Sequence, residues 1–195
     1  PSRQFDISKI DFDLLSREFA HTRRKNLLLR DLDELVNQQL AKMLFANPQR
    51  IDYYDRYQEI IDAYNAEQNR ATIEKTFMDL MELAGSLDTE QQRYVREGFS
   101  SDEELSVYDL LFSEDLTKQE IETIKKVSVD LLTKIKQQIA KLDHWTDKQE
   151  TKAIVDNLIR NTLWQELPNS YDVNDIQTYQ KKIYEYVYMR YPEVA

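Results

Sequence analysis

The chain has 195 residues, with two glycines, four prolines, no cysteine and a formal net charge of −10 at pH 7. This length suits one large domain or two small ones and is enough to bury a hydrophobic core. The absence of cysteine excludes disulfides and thiol chemistry, and no apolar run is long enough to span a bilayer, so we expect a cytoplasmic protein without a membrane partner. The acidic balance disfavours general binding to phosphate backbones, so any contact with nucleic acid has to be local.

Apolar residues recur every three or four positions through most of the chain, a period that predicts amphipathic helices. In chain order, the predicted helices cover residues 10–20, 25–46, 52–65, 71–87 and 89–96, then one after 101, one over 117–142, one after 146 and one over 172–190. No segment shows the strict alternation that is typical of a strand. The prediction is an all-α fold, an irregular bundle of about seven to eight antiparallel helices.

Several residues mark the predicted ends of these helices. Three pairs have the spacing of a capping box, in which a hydroxyl and a carboxylate or amide satisfy the open amides of a first turn: Thr117 with Glu120, Thr146 with Gln149, and Ser101 with Glu104. Asp172 or Asn174 is expected to cap the last helix. Gly85 is predicted as a left-handed cap near the end of the helix over 71–87, and Gly98 is predicted to end the short helix before it.

Charge divides the chain unevenly. Residues 1–116 hold 14 basic and 24 acidic side chains, whereas residues 117–195 hold 12 of each. We therefore expect a lead-in over 1–10, an acidic helical part over 11–116 and a neutral helical part over 117–195, with a hinge at Ser113–Leu116. Because the first residue is Pro1 rather than methionine, we interpret the chain as a piece of a longer protein.

The sequence carries no catalytic, metal or cofactor motif. Gly85 and Gly98 stand alone, whereas phosphate-cradling loops need clustered glycines. His21 and His144 are far apart, whereas zinc sites need clustered histidines and cysteines. The segment 150–152 has a spacing similar to that of metal-dependent nucleases, but it lies in the first turn of a predicted helix, where Glu150 favours the helix dipole.

Basic residues along the helix over 117–142 are candidates for DNA contact, because they fall mostly off its apolar face. These are Lys125, Lys126, Lys134, Lys136 and Lys141, with Arg23, Arg24 and Lys25 as a possible addition from the first part. The alternative is that they form an ordinary solvated face.

Three groups of short stretches carry a resemblance to a known family. They are 47–53 with 56–61 and 64–65; then 96–98, 103–105 and 108–111; and finally Trp145 with 148–153, 167–168 and Tyr171. In their order and spacing over roughly residues 11 to 190, they resemble the C-terminal helical domain of the motor and restriction (R) subunit of type I restriction-modification enzymes.

The resemblance implies a single C-terminal domain, over 1–195, of a longer subunit that is an ATP-dependent, site-specific deoxyribonuclease. In that family a nuclease domain and two helicase-like motor domains precede the helical domains, and ATP and Mg²⁺ belong to those parts. The R subunit joins a core of methyltransferase and specificity subunits, and the assembled enzyme translocates duplex DNA. The chain itself is therefore expected to be non-catalytic and to dock the R subunit onto that core.

Large aromatic side chains are the candidate anchors for such docking, because they dominate the energetics of many interfaces. The candidates are Trp145, Trp164, Tyr184, Tyr186 and Tyr188. The alternative is that both tryptophans fill the core. Apart from the family, the chain also fits a generic cytoplasmic helical scaffold or an acidic protein that mimics DNA.

Overall fold

A computed structural model describes residues 11–192. These residues contain nine α-helices, one short 3-10 helix at Pro48–Arg50 and no strand, which confirms the predicted all-α class. The α-helices are α1 (Phe12–His21), α2 (Lys25–Ala46), α3 (Ile51–Ala66), α4 (Arg70–Gln91), α5 (Arg93–Arg96), α6 (Asp102–Leu111), α7 (Lys118–Ile139), α8 (Gln149–Glu166) and α9 (Val173–Arg190). The predicted lead-in over 1–10 lies outside the described residues.

The chain divides into two compact units, of which the first ends at Arg93 and the second begins at Tyr94. The predicted hinge at Ser113–Leu116 lies inside the second unit, where it connects α6 with α7. That segment does not separate two parts because α6 and α7 pack into the same core, with Leu111 and Ile124 both fully buried.

The first unit packs α1 to α4 around one hydrophobic core. Its centre is formed by apolar residues of α2 and α4, among them Val36, Leu40, Phe77 and Leu83. Arg50, just before α3, pairs with Glu90 near the end of α4, and Arg56 pairs with Glu82 earlier in α4. Later residues of one helix thus meet earlier residues of the other, so α3 and α4 run antiparallel.

The second unit packs α6 to α9 around its own core. Buried residues of α7, α8 and α9 meet there, among them Leu131, Ile135, Ile159 and Ile183. The connection between α7 and α8 contributes Trp145, one of the largest fully buried side chains. Each helix turns its apolar face inward, as the helical period of the sequence predicts.

The helix ends follow the predicted caps in part. Thr117 and Glu120 form a full capping box: the Glu120 amide donates to Thr117 Oγ1 (3.3 Å) and the Thr117 amide donates to Glu120 Oε2 (2.8 Å). Ser101 caps α6, but Glu104 accepts from the amide of Ser100 instead of closing the box on Ser101. Asp172, rather than Asn174, caps α9.

Two predicted ends are wrong. The Thr146 cap does not form, since the Asp147 amide donates to the His144 carbonyl in a tight turn, and α8 begins only at Gln149, after Lys148, with no side-chain cap. Gly85 does not end α4, which continues to Gln91 because buried Leu87 and Glu90 pack further along the same helix. Gly98 does adopt the left-handed conformation, with φ of 86°, after α5.

The capping difference can be measured. Thr117→Ala should lower the free energy of unfolding by about 1 kcal/mol, because α7 loses the hydroxyl that accepts from its first turn. Thr146→Ala is the matched control and should change it by less than about 0.5 kcal/mol. Urea unfolding followed by circular dichroism measures both, and equal effects of the two substitutions would contradict this assignment.

Candidate DNA-binding and docking residues

Three of the five lysines predicted to contact DNA are neutralised within the second unit. Lys125 pairs with Glu97 (3.1 Å) and lies near the faces of two aromatic rings. Lys134 lies between Asp130 and Glu166, at 2.5 Å from each carboxylate. Lys136 pairs with Glu103, and its ammonium group also lies 5.3 Å from the centre of the Tyr191 ring.

The electrostatics of Lys134 follow from this geometry. Hydrogen bonds to Asp130 and then to Glu166 raise the pKa of the Lys134 ammonium group, because both carboxylates stabilise its charged form. The same lysine lowers the pKa of Asp130. Two carboxylates of the same unit therefore compensate the charge of the Lys134 ammonium group, which leaves it less able to attract a DNA phosphate.

Lys126 and Lys141 are exposed, and neither has a carboxylate partner within residues 11–192. They lie fifteen positions apart on and just after α7, which separates them by roughly 20 Å along the helix. Glu122 and Asp130 lie one turn on either side of Lys126. The structure therefore does not bring the five lysines together as one basic patch, and DNA contact through them stays a prediction.

The basic residues 23–25 belong to the first unit. Lys25 pairs with Glu74 (2.9 Å) and lies 4.8 Å from the centre of the Phe19 ring. Arg23 and Arg24 are exposed at the start of α2, beside a shallow surface groove.

The five aromatic candidates separate into core and surface residues. Trp145 is only 1% exposed: its indole Nε1–H donates to the Tyr191 carbonyl (2.7 Å), and its ring meets Tyr184 and Tyr188 edge to face. Tyr186 is also buried, and burial raises the pKa of its hydroxyl. These two side chains pack in the core, so they are not available to a partner as exposed anchors.

Trp164 and Tyr188 lie at the surface, with exposed fractions of 49% and 37%, and Tyr184 is half-buried. Trp164 is in the last turn of α8, on the face opposite to buried Val155 and Ile159. An exposed tryptophan of this kind is the residue type that most often anchors a protein interface.

A buried ion network in the first unit was not foreseen from the sequence. Glu90 accepts from Arg50 Nε (3.1 Å) and from Arg93 Nε (2.9 and 3.0 Å), and Arg50 and Glu90 are almost fully buried. Burial and the neighbouring Glu90 raise the pKa of Tyr53, whose hydroxyl lies beside the same carboxylate. Arg50 belongs to the stretch 47–53 that carries the family resemblance, but nothing in the sequence pairs it with Glu90.

Among the residues that the structure describes, 11–192, no group of three histidine or acidic side chains is arranged to hold a metal ion. Among the helices over 11–192, none combines the length and hydrophobicity that crossing a bilayer requires.

The structure defines an all-α module of two helical units, the second of which presents exposed aromatic side chains. Residues 2–191 match the family model described as type I restriction enzyme HindI endonuclease subunit-like, C-terminal. The chain belongs to this family, the C-terminal domain of a type I restriction endonuclease subunit, which confirms the resemblance. No curated protein and no solved structure matches the chain.

Proposed function

We propose that this chain is the non-catalytic assembly domain of its subunit, and that it docks the subunit onto the methyltransferase and specificity subunits. The observation that carries the proposal is Trp164, a large aromatic side chain left half exposed on a helix whose opposite face is buried. Membership of the family supports it, because a type I restriction enzyme is a multi-subunit complex.

Charge compensation favours a protein partner over duplex DNA as the main contact. Lys125, Lys134 and Lys136 already pair with carboxylates of the same unit. Breaking such pairs to bind phosphate would cost part of the electrostatic gain. DNA contact in this proposal is auxiliary and confined to exposed cations such as Lys126 and Lys141.

The proposal assigns ATP hydrolysis, Mg²⁺ binding, DNA translocation and cleavage to other parts of the subunit, in the cytoplasm. The alternatives are a generic helical scaffold and an acidic mimic of DNA. A mimic needs carboxylates spread over a broad face without cations, whereas several carboxylates of the second unit pair with lysines.

Deleting this domain from the full subunit should abolish its co-purification with the methyltransferase and specificity subunits. The remaining subunit should still hydrolyse ATP in the presence of DNA, which serves as the control for its folding. Adding the isolated chain should compete with the intact subunit for the core. Unchanged assembly after the deletion, with ATP hydrolysis retained, would contradict the proposal.

A further inference from the structure

Helices α8 and α9 form an antiparallel pair with a shallow groove between them. Gln180 Nε2 donates to Asp156 (2.9 Å), and Lys152 near the start of α8 lies over the ring of Tyr188 near the end of α9. The groove has a volume of about 480 Å³. Its polar lining consists of amides and charged groups: Gln149, Lys152, Asp156, Gln177, Gln180 and Lys181.

Two exposed apolar residues extend this groove at one end. Trp164 lies eleven positions after Ala153, which lines the groove, and eleven residues make about three helical turns, so both share one face of α8. By the same spacing, Val173 shares the face of α9 that carries Tyr184. Because the helices run antiparallel, Trp164 and Val173, 49% and 51% exposed, lie at the same end.

The part of the groove toward the start of α8 carries lysine side chains. Lys152 has no carboxylate partner within the described ranges, and the one contact of Lys181 is with exposed Glu185 at 4.0 Å, a weak interaction in water. The Asp156 carboxylate already accepts from Gln180. Exposed Lys148 adds a third cation just before α8.

We propose that this α8–α9 face, from Lys152 and Lys181 to Trp164 and Val173, is the surface that docks on the methyltransferase–specificity core. The inference rests on the proposed function and adds the partner's chemistry: one amphipathic helix lies along the groove. Its apolar residues cover Trp164 and Val173, and its acidic residues meet Lys152 and Lys181.

Three features support a helix as the occupant. A groove between two antiparallel helices accepts a third helix by the packing that builds bundles. From Lys152 to Trp164 the face is about 18 Å long, which matches about three turns of a bound helix. The glutamines at its centre can hydrogen-bond polar side chains around the apolar contact, as the polar rim of an interface does.

The test uses the full subunit and measures its affinity for the assembled methyltransferase–specificity core. Trp164→Ala should weaken binding by at least roughly 30-fold, the effect of removing one interface anchor. Lys152→Glu with Lys181→Glu should weaken it further at low salt, and the salt dependence of binding should fall, because two attractive contacts are reversed.

Matched controls lie on other faces of the same unit. Met189→Ala removes an apolar residue that is 68% exposed, on the side of α9 turned away from the groove, and Lys118→Glu reverses an exposed lysine at the start of α7. Both should change the affinity by less than about threefold. Circular dichroism should show that all variants keep their helices.

The outcomes separate this inference from the proposed function. If deleting the domain abolishes assembly while the groove variants bind normally, docking occurs on another face and only this inference fails. If the deletion leaves assembly intact, both fail. If the groove variants lose affinity for duplex DNA but not for the core, the groove binds nucleic acid and the inference is overturned.

Discussion

Trp145→Ala should lower the free energy of unfolding of the second unit by about 3–5 kcal/mol, the usual cost of removing a large aromatic side chain from a core. Trp145 is fully buried in the connection between α7 and α8, and its indole donates to the Tyr191 carbonyl just after α9. Its loss leaves a cavity beneath Tyr184 and Tyr188 and removes the link between the connection and the end of α9. Urea unfolding followed by circular dichroism measures the change.

The exposed tryptophan of the same unit, Trp164, provides the control. Trp164→Ala should change the free energy of unfolding by less than about 1 kcal/mol, because half of that side chain already faces water. Trp145→Phe keeps most of the apolar contact but loses the hydrogen bond, so its cost should be intermediate. Equal destabilisation by the two alanine substitutions would show that the assignment of core and surface tryptophans is wrong.

The helices could be predicted from the sequence because their signals are local. The sequence predicts one helix over 25–46, the bounds that α2 has, since a regular apolar stripe leads to Asn47-Pro48, where the helix has to stop. The Thr117 capping box could be predicted for the same reason, because both partners lie within one turn.

The wrong ends at Gly85 and Thr146 have a common cause, which is packing at a distance. Glycine weakens a helix by about 1 kcal/mol, and the buried contacts of Leu87 and Glu90 beyond it outweigh that cost. At Thr146 the burial of the neighbouring Trp145 shapes the connection, so the threonine lies in a turn before α8 starts. The partners that bury Leu87, Glu90 and Trp145 belong to other helices, so the local sequence does not reveal these contacts.

The candidate site could be predicted only as a set of residue types. The sequence does not distinguish Trp145 from Trp164, since each lies in or beside a helix with an apolar stripe. Only the fold shows that the first is buried and the second exposed. The lysines of α7 are similar in this respect: Glu97, Glu103 and Glu166, which neutralise three of them, lie about thirty residues away in sequence.

Glu90→Ala should lower the free energy of unfolding of the first unit by about 3–5 kcal/mol, because it removes the carboxylate that pairs with the buried guanidinium group of Arg50. Arg93 loses the same partner, but a quarter of its side chain is exposed. Glu82→Ala, two turns earlier in α4, removes a carboxylate that pairs with Arg56 at the surface and should cost less than about 1 kcal/mol.

A double substitution separates the loss of a stabilising pair from the cost of an isolated buried charge. Arg50→Met combined with Glu90→Leu removes both charges and fills the space with apolar groups, so it should recover most of the stability that Glu90→Ala loses. Urea unfolding of the unsubstituted protein, of Arg50→Met, of Glu90→Leu and of the double variant gives the coupling energy of the pair. If the double variant is as unstable as Glu90→Ala, then hydrogen bonds and shape at this position, rather than uncompensated charge, determine the loss.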